Sequence, residues 1–125
     1  MRVLDAGATV ELLIGGLDPR HLGTDDLAAP HLIDSEVTHV LRRLVLQKAL
    51  SDHEGAQAMR AFTALDIERF SARDLRPRMW ELRHTLTGYD ATYVALAEHL
   101  DADALLTTDA RLARAPGPRC TITVL

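Results

Sequence analysis

The chain is short of the features that would place it outside a reducing, aqueous compartment. It has a single cysteine, Cys120, so no disulfide can close within it, and a cytoplasmic setting fits that scarcity. Met1-Arg2 opens an apolar stretch broken by Asp5 and Glu11. That pattern is neither a signal peptide nor a membrane span. None of the six histidines stands at a ligand spacing from Cys120 or from another histidine, which argues against a structural zinc site. Gly15-Gly16 lacks the lysine and the spacing of a phosphate-binding loop. Internal repeats and low-complexity segments are also missing. Positive charge is in deficit: a net charge of -4 argues against a protein that coats nucleic acid by electrostatics alone. It leaves room for a nuclease whose acids are gathered at a metal site.

At 125 residues, 47% hydrophobic and 26% charged, the chain makes a single domain spanning residues 1–125. Its organising stretch runs from Gly88 to Ala115. A helix opening at Asp90 is apolar or aromatic from Ala91 to Ala97 except at Thr92, so it has little solvent face. Ala104 to Thr107 then forms a short apolar run ending in Thr108-Asp109, which suits a strand buried on both faces. One carboxylate thus stands at a helix N-terminus and another just past a strand's C-terminal end. Ligands bind at such places in open α/β sheets. Each acid alone also reads as a helix cap or turn residue.

The remaining elements alternate. Arg2-Val3-Leu4-Asp5 is a short strand ending in an acid, followed by a helix over about Thr9 to Ile14 that Gly15-Gly16 stops. Leu17 to Asp26 reads as an exposed loop. Leu27 to Ala29 is a strand, with Pro30 in the first turn of the next helix. Apolar residues at Ile33, Val37, Val40, Leu41 and Leu44 mark that helix, and Glu36 borders their stripe. A half-buried carboxylate is costly unless something pairs with it, although a solvated edge glutamate fits the same spacing. Ser51 and Glu54 form a capping box for a helix reaching about Leu65. Ile67 to Ser71 alternates as a strand, and Asp74 caps a helix whose core face is Leu75, Met79, Leu82 and Leu86. Another face of that helix carries Arg73, Arg76, Trp80 and Arg83, a basic stripe around an aromatic. The stripe reads as a surface for RNA phosphates or a protein partner, or as a solvated face. Pro116-Gly117-Pro118 turns the chain into a strand from Thr121 to Leu125, and Asp101 and Asp103 fall at the opposite sheet edge as turn residues.

This alternation implies a parallel sheet covered by helices on both faces. Parallel strands put Asp5 and Asp109 at one edge, and Asp90 and Glu36 return to it from helix starts. Four carboxylates sharing a small volume raise one another's pKa, and all-oxygen ligation suits Mg²⁺ or Mn²⁺.

Four segments carry a family resemblance: Val-Leu-Asp-Ala at the start, Ala-Pro-His-Leu-Ile-Asp-Ser-Glu-Val around Glu36, Tyr-Asp-Ala-Thr-Tyr-Val-Ala-Leu-Ala-Glu from Tyr89, and Leu-Leu-Thr-Thr-Asp-Ala-Arg-Leu-Ala from Leu105. In that order they resemble the PIN domain, in particular the VapC-type toxin ribonucleases of bacterial toxin–antitoxin pairs. The resemblance implies a three-layer α/β sandwich with a central parallel five-stranded sheet. It also implies a Mg²⁺-dependent endoribonuclease, with Mn²⁺ as a substitute. Its metal-binding acids would be Asp5, Glu36, Asp90 and Asp109, with the Thr107 hydroxyl in support. The first three would hold the principal metal, while Asp109 would complete a second site or orient the attacking water. The products would carry 5′-phosphate and 3′-hydroxyl ends. A cognate antitoxin would cover the cleft, and the toxin would be a homodimer. Gly7 departs from the pattern, which often has Ser, Thr or Asn two residues after the first acid. Two other readings are a catalytically weak PIN-like binding module and a phosphatase with an Asp nucleophile. Retention of all four acids speaks against the first, and the lack of a second acid at Gly7 against the second.

Overall fold

The computed structural model describes residues 1–125. Strands β1 (Arg2–Leu4), β2 (Leu27–Pro30), β3 (Glu68–Phe70), β4 (Ala104–Thr107) and β5 (Ile122–Val124) form one sheet in the order β3-β2-β1-β4-β5. Every neighbouring pair is parallel. Between them lie α1 (Ala6–Leu13), α2 (Leu32–Leu46), α3 (Asp52–Ala64), α4 (Arg76–Glu81), α5 (Gly88–His99) and α6 (Ala110–Arg114). Crossovers between parallel strands are right-handed. Connections stepping from β1 out to β3 therefore cover one face, and those stepping back to β4 and on to β5 cover the other. Helices α1, α2 and α3 pack together, while α4 packs on α5 and α5 lies on β1, β2 and β4. The result is the expected three-layer sandwich.

The central strands are buried on both sides: Val3, Leu4, Ala28, Ala29 and Leu105 have no solvent exposure. Helix α5 is buried from Ala91 to Ala97 without interruption. Val94 and Leu96 each contribute about 1.5–3 kcal/mol by burial, and the alanines allow close approach to the sheet. Thr92, the one polar residue of that run, donates its hydroxyl to the Gly88 carbonyl.

Local signals mostly act as their chemistry suggests. The Glu54 N–H donates to the Ser51 hydroxyl and the Ser51 N–H to the Glu54 carboxylate, completing the capping box. Gly15 takes a φ of +85° and stops α1. Its N–H donates to the Leu12 carbonyl and that of Gly16 to the Glu11 carbonyl.

Four expectations need correction. Helix α1 starts at Ala6 and not near Thr9, because Asp5 itself caps it. The loop before β2 contains a 3₁₀ turn over Pro19–Leu22, capped by Asp18. Pro30 ends β2 and does not open a helix: it pairs with Phe70, and the N–H that continues the ladder comes from His31. Asp74 caps nothing. It lies in a 3₁₀ turn over Arg73–Leu75, and α4 spans only six residues with Pro77 near its start. The basic stripe is therefore not one helical face, since Arg73 precedes α4 and Arg83 follows it.

Candidate active site

Strands β1 and β4 are neighbours at the sheet centre, and the connections after them leave in opposite directions. The crevice beyond the carboxyl ends of such a pair is where open α/β sheets bind ligands. Asp5 follows β1 and Asp109 lies two residues past β4, so these two acids flank the crevice. The Asp5 N–H donates to the Leu106 carbonyl at 3.1 Å, which ties the backbone of the first acid to β4.

Asp5 has two tasks. Its Oδ1 accepts the Ala8 N–H at 2.8 Å, making it the N-cap of α1. Burial pushes its carboxyl up; the Ala8 N–H and the Thr107 hydroxyl work against that, while Asp90 and Asp109 add to it. Asp90 lies in the first turn of α5 but is not its cap. Thr87 is the cap, and its hydroxyl accepts the Asp90 N–H at 3.1 Å. The Asp90 carboxylate therefore has no capping bond to maintain. Burial raises its pKa, with Asp109 adding to the rise and Thr87 and Arg111 opposing it.

Glu36 comes from the second turn of α2. It is half-buried, and its carboxyl is raised first by burial, then by Asp90 and Asp5, against the pull of Tyr93. The Tyr93 hydroxyl donates to Glu36 Oε1 at 2.7 Å. A hydrogen bond to a charged group stabilises by about 1.5–3 kcal/mol, which answers the cost of half-burying this carboxylate.

Asp109 departs from the expectation that all four acids push one another's pKa upward. Its carboxyl is lowered: the Arg111 N–H, at 2.9 Å from Oδ1, outweighs burial, and the Arg111 guanidinium adds to the effect. The Asp109 N–H donates to the Thr107 hydroxyl at 3.0 Å. Thr107 is fully buried, so one hydroxyl serves the segments bearing both Asp5 and Asp109.

The four acids converge and interact without closing a cage: no three acidic, histidine or cysteine side chains meet tightly enough to hold an ion between them. Beside Asp90 and Asp109 a cavity of about 250 Å³ opens, lined also by Thr85, Thr87, Arg111 and Ala115. Gly7 faces this region. A Cβ there would stand 3.3 Å from the Thr108 hydroxyl and 3.7 Å from Asp5 Oδ1, so a polar side chain at this position would border Asp5.

The basic cluster stands nearby in sequence and remains exposed. Trp80 is 68% exposed, and the Arg83 guanidinium lies 4.6 Å from its ring centroid. Arg83 Nη1 donates to the Trp80 carbonyl and Arg76 Nε to the Arg73 carbonyl, so the cluster is ordered by its own backbone. Asp101 and Asp103 lie at the opposite sheet edge, where Asp103 pairs with the Met1 amino group.

Two side chains of this region were not legible in advance. Tyr93 read as core because its neighbours are apolar; the usable signal is that a buried tyrosine hydroxyl needs a partner. Arg111 falls inside the segment from Leu105, where no local pattern marks it as the partner that holds Asp109.

An acidic crevice at the topological switch point of a parallel five-stranded sheet defines the class: an α/β domain whose site chemistry is that of carboxylates. The PIN domain model matches residues 3–118. The chain is 40% identical over 126 residues to VapC ribonuclease Mb0985 of Mycobacterium bovis, covering 100% of this chain and 98% of that protein. It is 43% identical over 129 residues to ribonuclease VapC1 of Mycobacterium tuberculosis, covering 96% and 94%. Among solved structures, VapBC2 of Rickettsia felis bound to a promoter DNA fragment superposes with a TM-score of 0.71 at 13% identity, covering 98% of this chain and 97% of that one. VapC20 of Mycobacterium tuberculosis, a Sarcin-Ricin loop cleaving toxin, gives 0.65 at 16% identity, covering 91% and 94%. This chain belongs to the PIN-domain family of VapC toxin ribonucleases.

Proposed function

We propose that this protein is a divalent-metal-dependent endoribonuclease, the toxin of a type II toxin–antitoxin pair. The observation that supports the reading is that Asp5, Glu36 and Asp90 stand near enough at the β1–β4 crevice for Asp90 to push the carboxyls of both Asp5 and Glu36 up, on top of burial that raises all three. Carboxylates brought together against their own repulsion suit a hard cation such as Mg²⁺ or Mn²⁺, and the donor set is all oxygen. When bound, the metal lowers the pKa of a water and offsets charge on the scissile phosphate.

The chain supplies the rest. Asp5, Glu36 and Asp90 form the binding set, from a strand end and two helices. Asp109, kept ionised by Arg111, accepts a hydrogen bond from the attacking water and orients it. In-line displacement then leaves 5′-phosphate and 3′-hydroxyl ends. RNA must reach an acidic crevice in a protein of net charge -4. Arg73, Arg76 and Arg83 give local positive charge for the phosphate backbone, and exposed Trp80 gives a plane on which an unpaired base stacks. An antitoxin that covers the crevice would quench the activity, and the active toxin would be a homodimer.

The test is cleavage of end-labelled RNA by the purified protein with Mg²⁺, with Mn²⁺ and with chelator. Cleavage that needs metal and leaves 5′-phosphates supports the reading. Undiminished cleavage in chelator, or none under any condition, refutes it.

A further inference from the structure

Tyr93 lies one helical turn after Asp90 on α5, and its side chain is only 2% exposed. Its hydroxyl reaches across to α2 and donates to Glu36 Oε1 at 2.7 Å, a contact between residues 57 positions apart. No other hydrogen bond and no ion pair holds the Glu36 carboxylate. A glutamate has three rotatable side-chain bonds, and nothing else in α2 fixes this one. The helix that carries Tyr93 is packed on all sides here, since every residue from Ala91 to Ala97 is buried. One packed helix thus delivers an acid of the site and the hydroxyl that aims a second acid.

We propose that Tyr93 is a positioning residue for the metal site: it pins Oε1 of Glu36 and so presents the carboxylate to the volume shared with Asp5 and Asp90. The proposal rests on the metal-dependent reading above. Ligating carboxylates are commonly held by hydrogen bonds from outside the coordination sphere, and removing such a partner weakens metal binding about 10–100-fold. Asp90 receives no such help from Tyr93, so the effect passes through Glu36 alone.

Tyr93→Phe keeps the ring in the core and removes only the donor. The experiment is Mn²⁺ titration followed by thermal shift and by the electron paramagnetic resonance signal of free Mn²⁺, alongside RNA cleavage against metal concentration. The expected result is half-saturation displaced upward by roughly 10–100-fold, with the cleavage rate at saturating metal largely recovered. Glu36→Gln supplies the second arm. If Tyr93 acts through Glu36, adding Tyr93→Phe to Glu36→Gln displaces half-saturation no further. Wild-type half-saturation in Tyr93→Phe overturns the inference even if its melting temperature falls, because a purely structural hydroxyl would do just that. Additive losses in the double variant overturn it too. A wild-type protein indifferent to Mn²⁺ overturns the metal-dependent reading and this inference with it.

Discussion

The two tasks of Asp5 can be separated by two substitutions. Asn keeps a side-chain oxygen for the Ala8 N–H, now accepted at 2.8 Å, and caps a helix about as well as Asp. Ala loses the cap and leaves a donor at the half-buried start of α1 unsatisfied. The cap costs about 1 kcal/mol to remove, which for a domain of this size lowers the melting temperature by about 4 °C. Asn removes a charge whose folded pKa is raised by burial and by two neighbouring acids. A carboxylate with a raised folded pKa stabilises the fold below its unfolded pKa, and that contribution is lost as pH rises through the folded value. At neutral pH the Asp5 charge therefore weighs against folding. Both substitutions remove that charge and only Ala removes the cap, so in chelator at neutral pH Asp5→Asn should melt at or above the wild-type temperature and Asp5→Ala about 4 °C below Asp5→Asn. Both should lose RNA cleavage with Mg²⁺ present. Differential scanning calorimetry and a labelled-RNA assay on the same preparations decide the matter. If Asp5→Asn melts as low as Asp5→Ala, the capping account is wrong. If folded Asp5→Asn still cleaves at the wild-type rate, Asp5 is not in the site.

Three more outcomes are expected. Asp90→Asn should abolish cleavage and raise metal-free stability by roughly 0.5–2 kcal/mol, as replacing a strained active-site group often does; since Thr87 is the cap of α5, a fall in stability would show that the carboxylate has structural work. Arg76→Ala with Arg83→Ala should weaken RNA binding and flatten its salt dependence without moving Mn²⁺ half-saturation; normal cleavage with loss of dimer or antitoxin binding makes the cluster a protein interface, and no change makes it a solvated face. Glu98 accepts Arg78 Nε at 2.7 Å and the Arg119 N–H at 2.7 Å; burial works to raise its pKa, but these bonds outweigh it and hold it below the ordinary value. Its stabilising contribution is present above the unfolded carboxylate pKa and disappears as pH falls through the lower folded value, so Glu98→Gln should cost roughly 2 kcal/mol at neutral pH and less in acid; a constant cost across that range in urea titrations would refute the ion-pair account.

The parts of the molecule legible in its sequence are those where one physical rule acts alone. Asp5 and Asp109 follow apolar runs too short for helices, so both could be placed at strand ends and hence at one sheet edge. Ser51 and Glu54 satisfy each other within four residues, and nothing distant enters. Where two rules compete, local spacing alone misplaces the boundary. The buried run starting at Ala91 makes Asp90 look like the start of the helix, but the Thr87 hydroxyl accepts the Asp90 N–H and α5 begins at Gly88. Pro30 suits both a helix start and an edge of pairing, and the N–H of His31 to Phe70 decides for the strand. The segment from Arg73 to Leu86 has the apolar spacing of one long helix, yet α4 ends at Glu81. Tyr93 was invisible for another reason: its partner lies 57 residues away, and no local pattern encodes such a distance.

The acids of the crevice are scattered from residue 5 to residue 109, and the backbone of the first is secured by the Leu106 carbonyl. During synthesis a growing chain therefore carries Asp5 and Glu36 long before it can assemble anything with them. Pairing of β1 with β4 joins distant segments, a slow class of contact to form, and it requires the chain through Asp109 to be free. The crevice therefore cannot form on a nascent chain until β4 and Asp109 are free to pair. Whatever chemistry the acids support under the proposed reading would arrive late in synthesis, and a partner already present in the cell would meet the crevice as it first closes.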